Sequence, residues 1–139
     1  MGLGREPAQS RHAPLEGNSA SYPNLMGKRI LVVDDEPVVS VDYRYQLLEV
    51  GATQAGFVPS NQAAVSFLET HEVDAVIVDH RLRDGTSEPV VAWLVAHQVP
   101  FVMVSGWVEK LKSTGTDVPV LEKPAQPTEL WQALSGILH

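Results

Sequence analysis

The chain has 139 residues, 44% of them apolar and 19% charged, which is the composition of a single globular domain. Its net charge is −7, and Arg5 and Arg11 balance Glu6 and Glu16, so the whole acidic excess falls on residues 28–139 and excludes a phosphate-backbone binder. With no cysteine, no apolar run near the ~20 residues of a membrane span and no leader pattern, disulfides and thiol chemistry are excluded, and a cytoplasmic protein without membrane insertion is expected.

Residues 1–27 carry Pro7, Pro14 and Pro23 with four glycines and no apolar periodicity, and are expected to form a flexible N-terminal extension. Residues 28–139 then hold enough material for one core. Ile30-Leu31-Val32-Val33 is a continuous apolar run, as of a strand buried on both faces. From Pro37 to Val50, the steps between Val38, Val41, Tyr45 and Leu48 predict a helix with that stripe turned inward. Pro37 suits its first turn and Gly51 its end. A weaker strand spans Thr53 to Val58, and Ser60 or Asn61 caps a helix carrying Ala64, Phe67 and Leu68.

Ala75-Val76-Ile77-Val78 is a second buried strand, followed by a polar loop from Asp79 to Ser87. A helix from Glu88 to His97 turns Val90, Val91, Leu94 and Val95 inward, and Phe101-Val102-Met103-Val104 forms another strand. Val118-Pro119-Val120-Leu121 is a short last strand, expected at an edge because Pro119 has no N–H for a ladder. Pro127 opens a final helix with Leu130, Ala133, Leu134 and Ile137 on one side. Buried strands alternating with helices predict an α/β fold: a five-stranded parallel sheet, doubly wound by right-handed crossovers.

In such folds, ligands bind beyond the carboxyl ends of the strands. The strands here are followed by Asp34-Asp35-Glu36, by Asp79, by Ser105-Gly106 and by Lys123-Pro124. Carboxylates gathered within ~5 Å repel by roughly 3 kcal/mol per pair at an effective dielectric of 20, so the cluster takes up protons or binds a cation. Hard oxygen ligands favour Mg2+ over zinc.

Together these pieces resemble the receiver domain of two-component response regulators over residues 28–139. The matching segments are Ile30 to Glu36, Val78-Asp79, Val104-Ser105-Gly106 and Glu122-Lys123-Pro124. The resemblance implies a flavodoxin-like sheet of order 2-1-3-4-5. It implies Asp79 as acceptor of a phosphoryl group from a histidine kinase or histidine phosphotransfer protein. Asp34, Asp35, Asp79 and the backbone carbonyl of Arg81 would arrange Mg2+, while Lys123 and Ser105 would contact phosphoryl oxygens. It also implies a cis peptide before Pro124, and a signalling role through phosphorylation-dependent protein binding or as a phosphate sink. The chain would act as a stand-alone switch on an unknown downstream protein, promoting its own phosphorylation and dephosphorylation rather than acting as an enzyme on a separate substrate.

The sequence departs from the family pattern in three places. The loop after Asp79 is short and lacks the usual proline, the 18 positions from Ser105 to Lys123 imply a shortened fourth helix, and Val120 stands where an aromatic is usual. Phe101 to Trp107 is similar to the Phe-Ala-Thr-Gly-Tyr motif of a receiver subgroup that lacks that aromatic, and Trp107 is a candidate for the moving element in its place. Arg81 offers a long cation that bears on water attack at an acyl phosphate, whereas His80 reads as a solvated loop residue. Two alternatives remain. A haloacid-dehalogenase-type phosphatase would need an acid two positions past Asp79, where Arg81 stands. A receiver-fold binding module without phosphorylation would share every group named above.

Overall fold

The computed structural model describes residues 21–106 and 118–138. Strands β1 (Arg29–Val33), β2 (Thr53–Val58), β3 (Ala75–Asp79), β4 (Phe101–Ser105) and β5 (Val120–Glu122) form one parallel sheet. Their order is β2-β1-β3-β4-β5, the doubly wound arrangement expected. Helices α1 (Val39–Glu49), α2 (Asn61–Thr70), α3 (Glu88–Ala96) and α4 (Pro127–Ile137) cover its faces.

Alternation along the strands divides the core in two. Ile30, Val32, Ile77, Val102 and Val104 pack against Leu47 of α1 and Leu130, Trp131 and Leu134 of α4. Leu31, Val33, Val76, Val78 and Met103 pack against Ala64 and Leu68 of α2 and Val90 and Leu94 of α3. The central strand β3 is buried throughout, because it is paired on both edges and covered on both faces. Pro119 precedes β5 and only accepts, from the Met103 N–H, which suits its edge position.

Helix α1 is rotated from the expected orientation. Val38, Val41, Tyr45 and Leu48 are 78%, 48%, 60% and 48% exposed, whereas Leu47 and Val50 are fully buried. Apolar residues stand on both faces of this helix, so periodicity selects two stripes equally well. The tight turns from β1 and into β2 decide between them, turning Leu47 and Val50 to the sheet. In α3 likewise, Val90 and Leu94 are buried but Val95 is 62% exposed.

The N-terminal boundary also differs. Residues 21–27, expected to belong to the extension, are packed on the domain. Pro23–Leu25 form a 3-10 turn that buries Leu25 completely. Tyr22 lies against Trp131 at a ring separation of 5.9 Å, and the Asn24 amide donates to the carbonyls of Ser135 and Leu138. Residues 1–20 and the region of the expected short fourth helix, including Trp107, lie outside the described residues.

The polar loop after β3 is a small hairpin. Arg81–Leu82 pair antiparallel with Gly85–Thr86, and Leu82 is buried against the α2 and α3 side of the core. Gly85 has φ +122°, a conformation that side chains disfavour.

Candidate functional site

Parallel strands bring their carboxyl ends to one rim, and the register fixes which residues meet there. Val33 pairs with Val78, Asp79 with Val104, and Ser105 with Glu122. The residues that follow β1, end β3 and β4, and follow β5 are therefore neighbours. Lys123 Nζ donates to Asp79 Oδ2 at 2.9 Å, with Asp34 Oδ2 at 3.4 Å and Glu36 Oε1 at 3.5 Å. The Lys123 backbone N–H donates to the Ser105 carbonyl, tying β4 and β5 beneath the ammonium group. The peptide from Lys123 to Pro124 is cis.

Asp34, Asp79 and Ser105 are buried, with exposures of 1%, 8% and 1%. Burial raises the Asp34 carboxyl above its ordinary value, and the neighbouring Asp79 charge adds to the rise, against a hydrogen bond from the Glu36 N–H. Burial likewise raises Asp79, opposed chiefly by Lys123 and less by the Arg81 backbone N–H. For Lys123, burial disfavours the charge, but Asp79 and Asp34 outweigh it and hold the ammonium protonated. The site is thus an acid cluster with one cation for three carboxylate partners.

One oxygen from each of Asp34, Asp35 and Asp79 lies within 4.8 Å of the others. Three hard oxygen donors, two of them unfavourably charged where they stand, fit a small divalent cation and not a soft one. The side chains of Asp34, Asp35, Asp79 and Lys123 meet at this rim, and Ser105 stands beside them at the end of β4. Arg81 is there through its backbone, while its side chain is exposed.

Four contributors were not foreseen. Glu36 shares Lys123 with the two buried aspartates. Tyr43, on the inner face of α1, lines a cleft of 340 Å³ with Asp34, Glu36, Val104, Lys123 and Pro124. Burial pushes its hydroxyl up to about 12, with Asp34 adding to the shift. Asn61 and Asp84 tie the hairpin to α2. The Asp-Gly pair at 84–85 is a recognised hairpin signal, but nothing in the sequence pairs position 61 with position 84.

No family model matches the chain. SdrG from Sphingomonas melonis Fr1 is 32% identical, with a TM-score of 0.70 over 83% of this chain and 98% of that one. The response regulator receiver domain (CheY-like) from Methylobacillus flagellatus is 26% identical, with a TM-score of 0.69 over 80% and 98%. The curated Phyllosphere-induced regulator PhyR from Methylorubrum extorquens is 25% identical over 118 residues, covering 81% of this chain. This chain spans only 44% of that relative's length. The chain belongs to the response regulator receiver domain family, and within it resembles the receiver of PhyR.

Proposed function

We propose that the chain is a Mg2+-dependent phosphoryl acceptor, with Asp79 as the nucleophile and a histidine kinase or histidine phosphotransfer protein as the donor. The observation that carries this reading is the 2.9 Å contact of Lys123 with Asp79 beside two further aspartates, made between strand ends 44 positions apart. An Asp79 oxygen forms a bond to phosphorus as the donor's N–P bond breaks, and the leaving imidazole takes up a proton. Lys123 is placed to follow the transferred oxygens as a point charge, and Ser105 to donate its hydroxyl to one of them. Asp34, Asp35, Asp79 and the Arg81 carbonyl would hold Mg2+, which offsets the repulsion between an anionic acceptor and an anionic donor.

The exposed apolar row on α1, Val38, Val41, Tyr45 and Leu48, begins beside this rim. It suits the docking of a helical donor, since an amphipathic partner covers such a row at matching spacing. Phosphorylation would then act by changing what binds the chain, or by draining phosphoryl groups from the donor. The similarity to PhyR leaves more than half of PhyR uncovered, and the function of that remainder is not carried over.

Incubation with acetyl phosphate and Mg2+, followed by intact-mass measurement, tests the reading. The native chain should gain the mass of one phosphoryl group, and Asp79→Asn should gain none. No gain in the native chain favours a binding module without phosphorylation.

A further inference from the structure

Two polar side chains outside the acid cluster make a reciprocal tie between elements. Asn61 is 5% exposed at the start of α2, and its Nδ2 donates to Asp84 Oδ1 at 3.1 Å and to the Thr86 carbonyl at 2.9 Å. Its Oδ1 accepts the Val90 N–H, 3.0 Å away in the first turn of α3. In the other direction, the Asp84 carboxylate accepts the backbone N–H groups of Asn61 at 2.9 Å and Gln62 at 3.2 Å. Asp84, on the hairpin, thus caps α2, while Asn61, on α2, caps α3. Ser60 already caps α2 in the ordinary way through the Ala63 N–H, which leaves the Asn61 side chain available for the tie.

The hairpin held in this way reaches the nucleophile. Thr86, whose carbonyl Asn61 binds, is paired with Arg81, two residues past Asp79, and the His80 N–H between them donates to the Val104 carbonyl. The Arg83 N–H donates to the Pro59 carbonyl, and the Ser87 N–H to the His80 carbonyl, closing the loop at both ends. The Asp79 carboxylate is thus held by Lys123, from a different strand end, while the backbone that carries it runs straight into the hairpin tied to α2.

We propose that Asn61 and Asp84 are positioning residues for phosphoryl acceptance: their reciprocal clamp fixes the hairpin, and through it the backbone that leaves Asp79. This rests on the reading of Asp79 as phosphoacceptor. In-line attack tolerates little misplacement, and shifts near 1 Å from distant substitutions slow such reactions by about a hundredfold. The clamp touches neither donor nor acceptor, so its effect runs through the loop.

The test is the rate of phosphoryl gain from acetyl phosphate at saturating Mg2+, followed by intact mass at a temperature where every variant is folded. Asn61→Ala and, as a milder second variant at an exposed position, Asp84→Ala should slow the gain by about tenfold or more. Asn61→Asp should also be slow, because it sets a carboxylate against Asp84 and the Thr86 carbonyl. The swap Asn61→Asp with Asp84→Asn restores a donor between the two side chains and should recover part of the rate. Leu94→Ala, which opens the core beneath α3 without touching the clamp, lowers stability and should keep the native rate. Native rates in both Asn61→Ala and Asp84→Ala, or a slowing no greater than that of Leu94→Ala, overturn the proposal. Failure of the native chain itself to gain phosphoryl overturns the functional reading instead, and the clamp's role with it.

Discussion

Lys123 is the one cation paired with the acid rim among the described residues, and its removal has a defined sign. Lys123→Ala leaves Asp34 and Asp79 buried without their counter-charge and should destabilise the chain by about 2 kcal/mol at pH 7. Asp34→Asn should do the reverse. Asp34 and Asp79 are raised above the ordinary 3.8, chiefly by burial, so the native state binds protons that the unfolded chain has released. Their contribution to stability therefore falls as pH rises from that value through the native pKa. Asparagine at 34 still accepts the Glu36 N–H and carries no charge. Urea midpoints should be higher than native for Asp34→Asn at pH 7, with the gain gone near pH 3. These residue types were readable at the strand ends, because an aspartate or lysine after an apolar run is a local signal. Glu36 as third partner of Lys123 was not, since its reach depends on the turn between β1 and α1.

Helices show where periodicity stops being informative. The Asn61 helix and the Pro127 helix bury the apolar positions their spacing marks, because each has one apolar face. Helix α1 has two, and the sequence alone does not choose between them. The observed choice predicts unequal losses: Leu47→Ala should cost about 2–5 kcal/mol, and Val41→Ser less than about 0.5 kcal/mol, in chemical denaturation. The reverse order, with Val41→Ser the costlier, would mean that α1 packs on the stripe the spacing first suggested. Val38, Val41, Tyr45 and Leu48 are left as an exposed apolar row, the surface that the proposed donor would cover. The histidines that end α2 and α3 do local work. His71 stacks on Phe67 and His97 on Trp93, each with Nδ1 near the carbonyl one turn back.

Across the molecule, the chain uses a parallel sheet to bring together at one rim groups up to 89 positions apart in sequence. The sheet was readable because buried parallel strands are continuous apolar runs separated by turn residues. What escaped was non-periodic: a pair of side chains 23 positions apart, and one leucine between a proline and a glycine. That leucine sets where the domain begins. With Leu25 fully buried in the half of the core shared by α1, α4 and the sheet, the segment before β1 closes that half as a cork closes a bottle. Cutting the chain at Lys28 would pull the cork and cost about 2 kcal/mol, readable as a lower melting temperature than a chain cut at Ser21. Any minimal version made for binding or labelling work must keep Tyr22 to Leu25, or it will leak water into the same half of the core that supports Lys123.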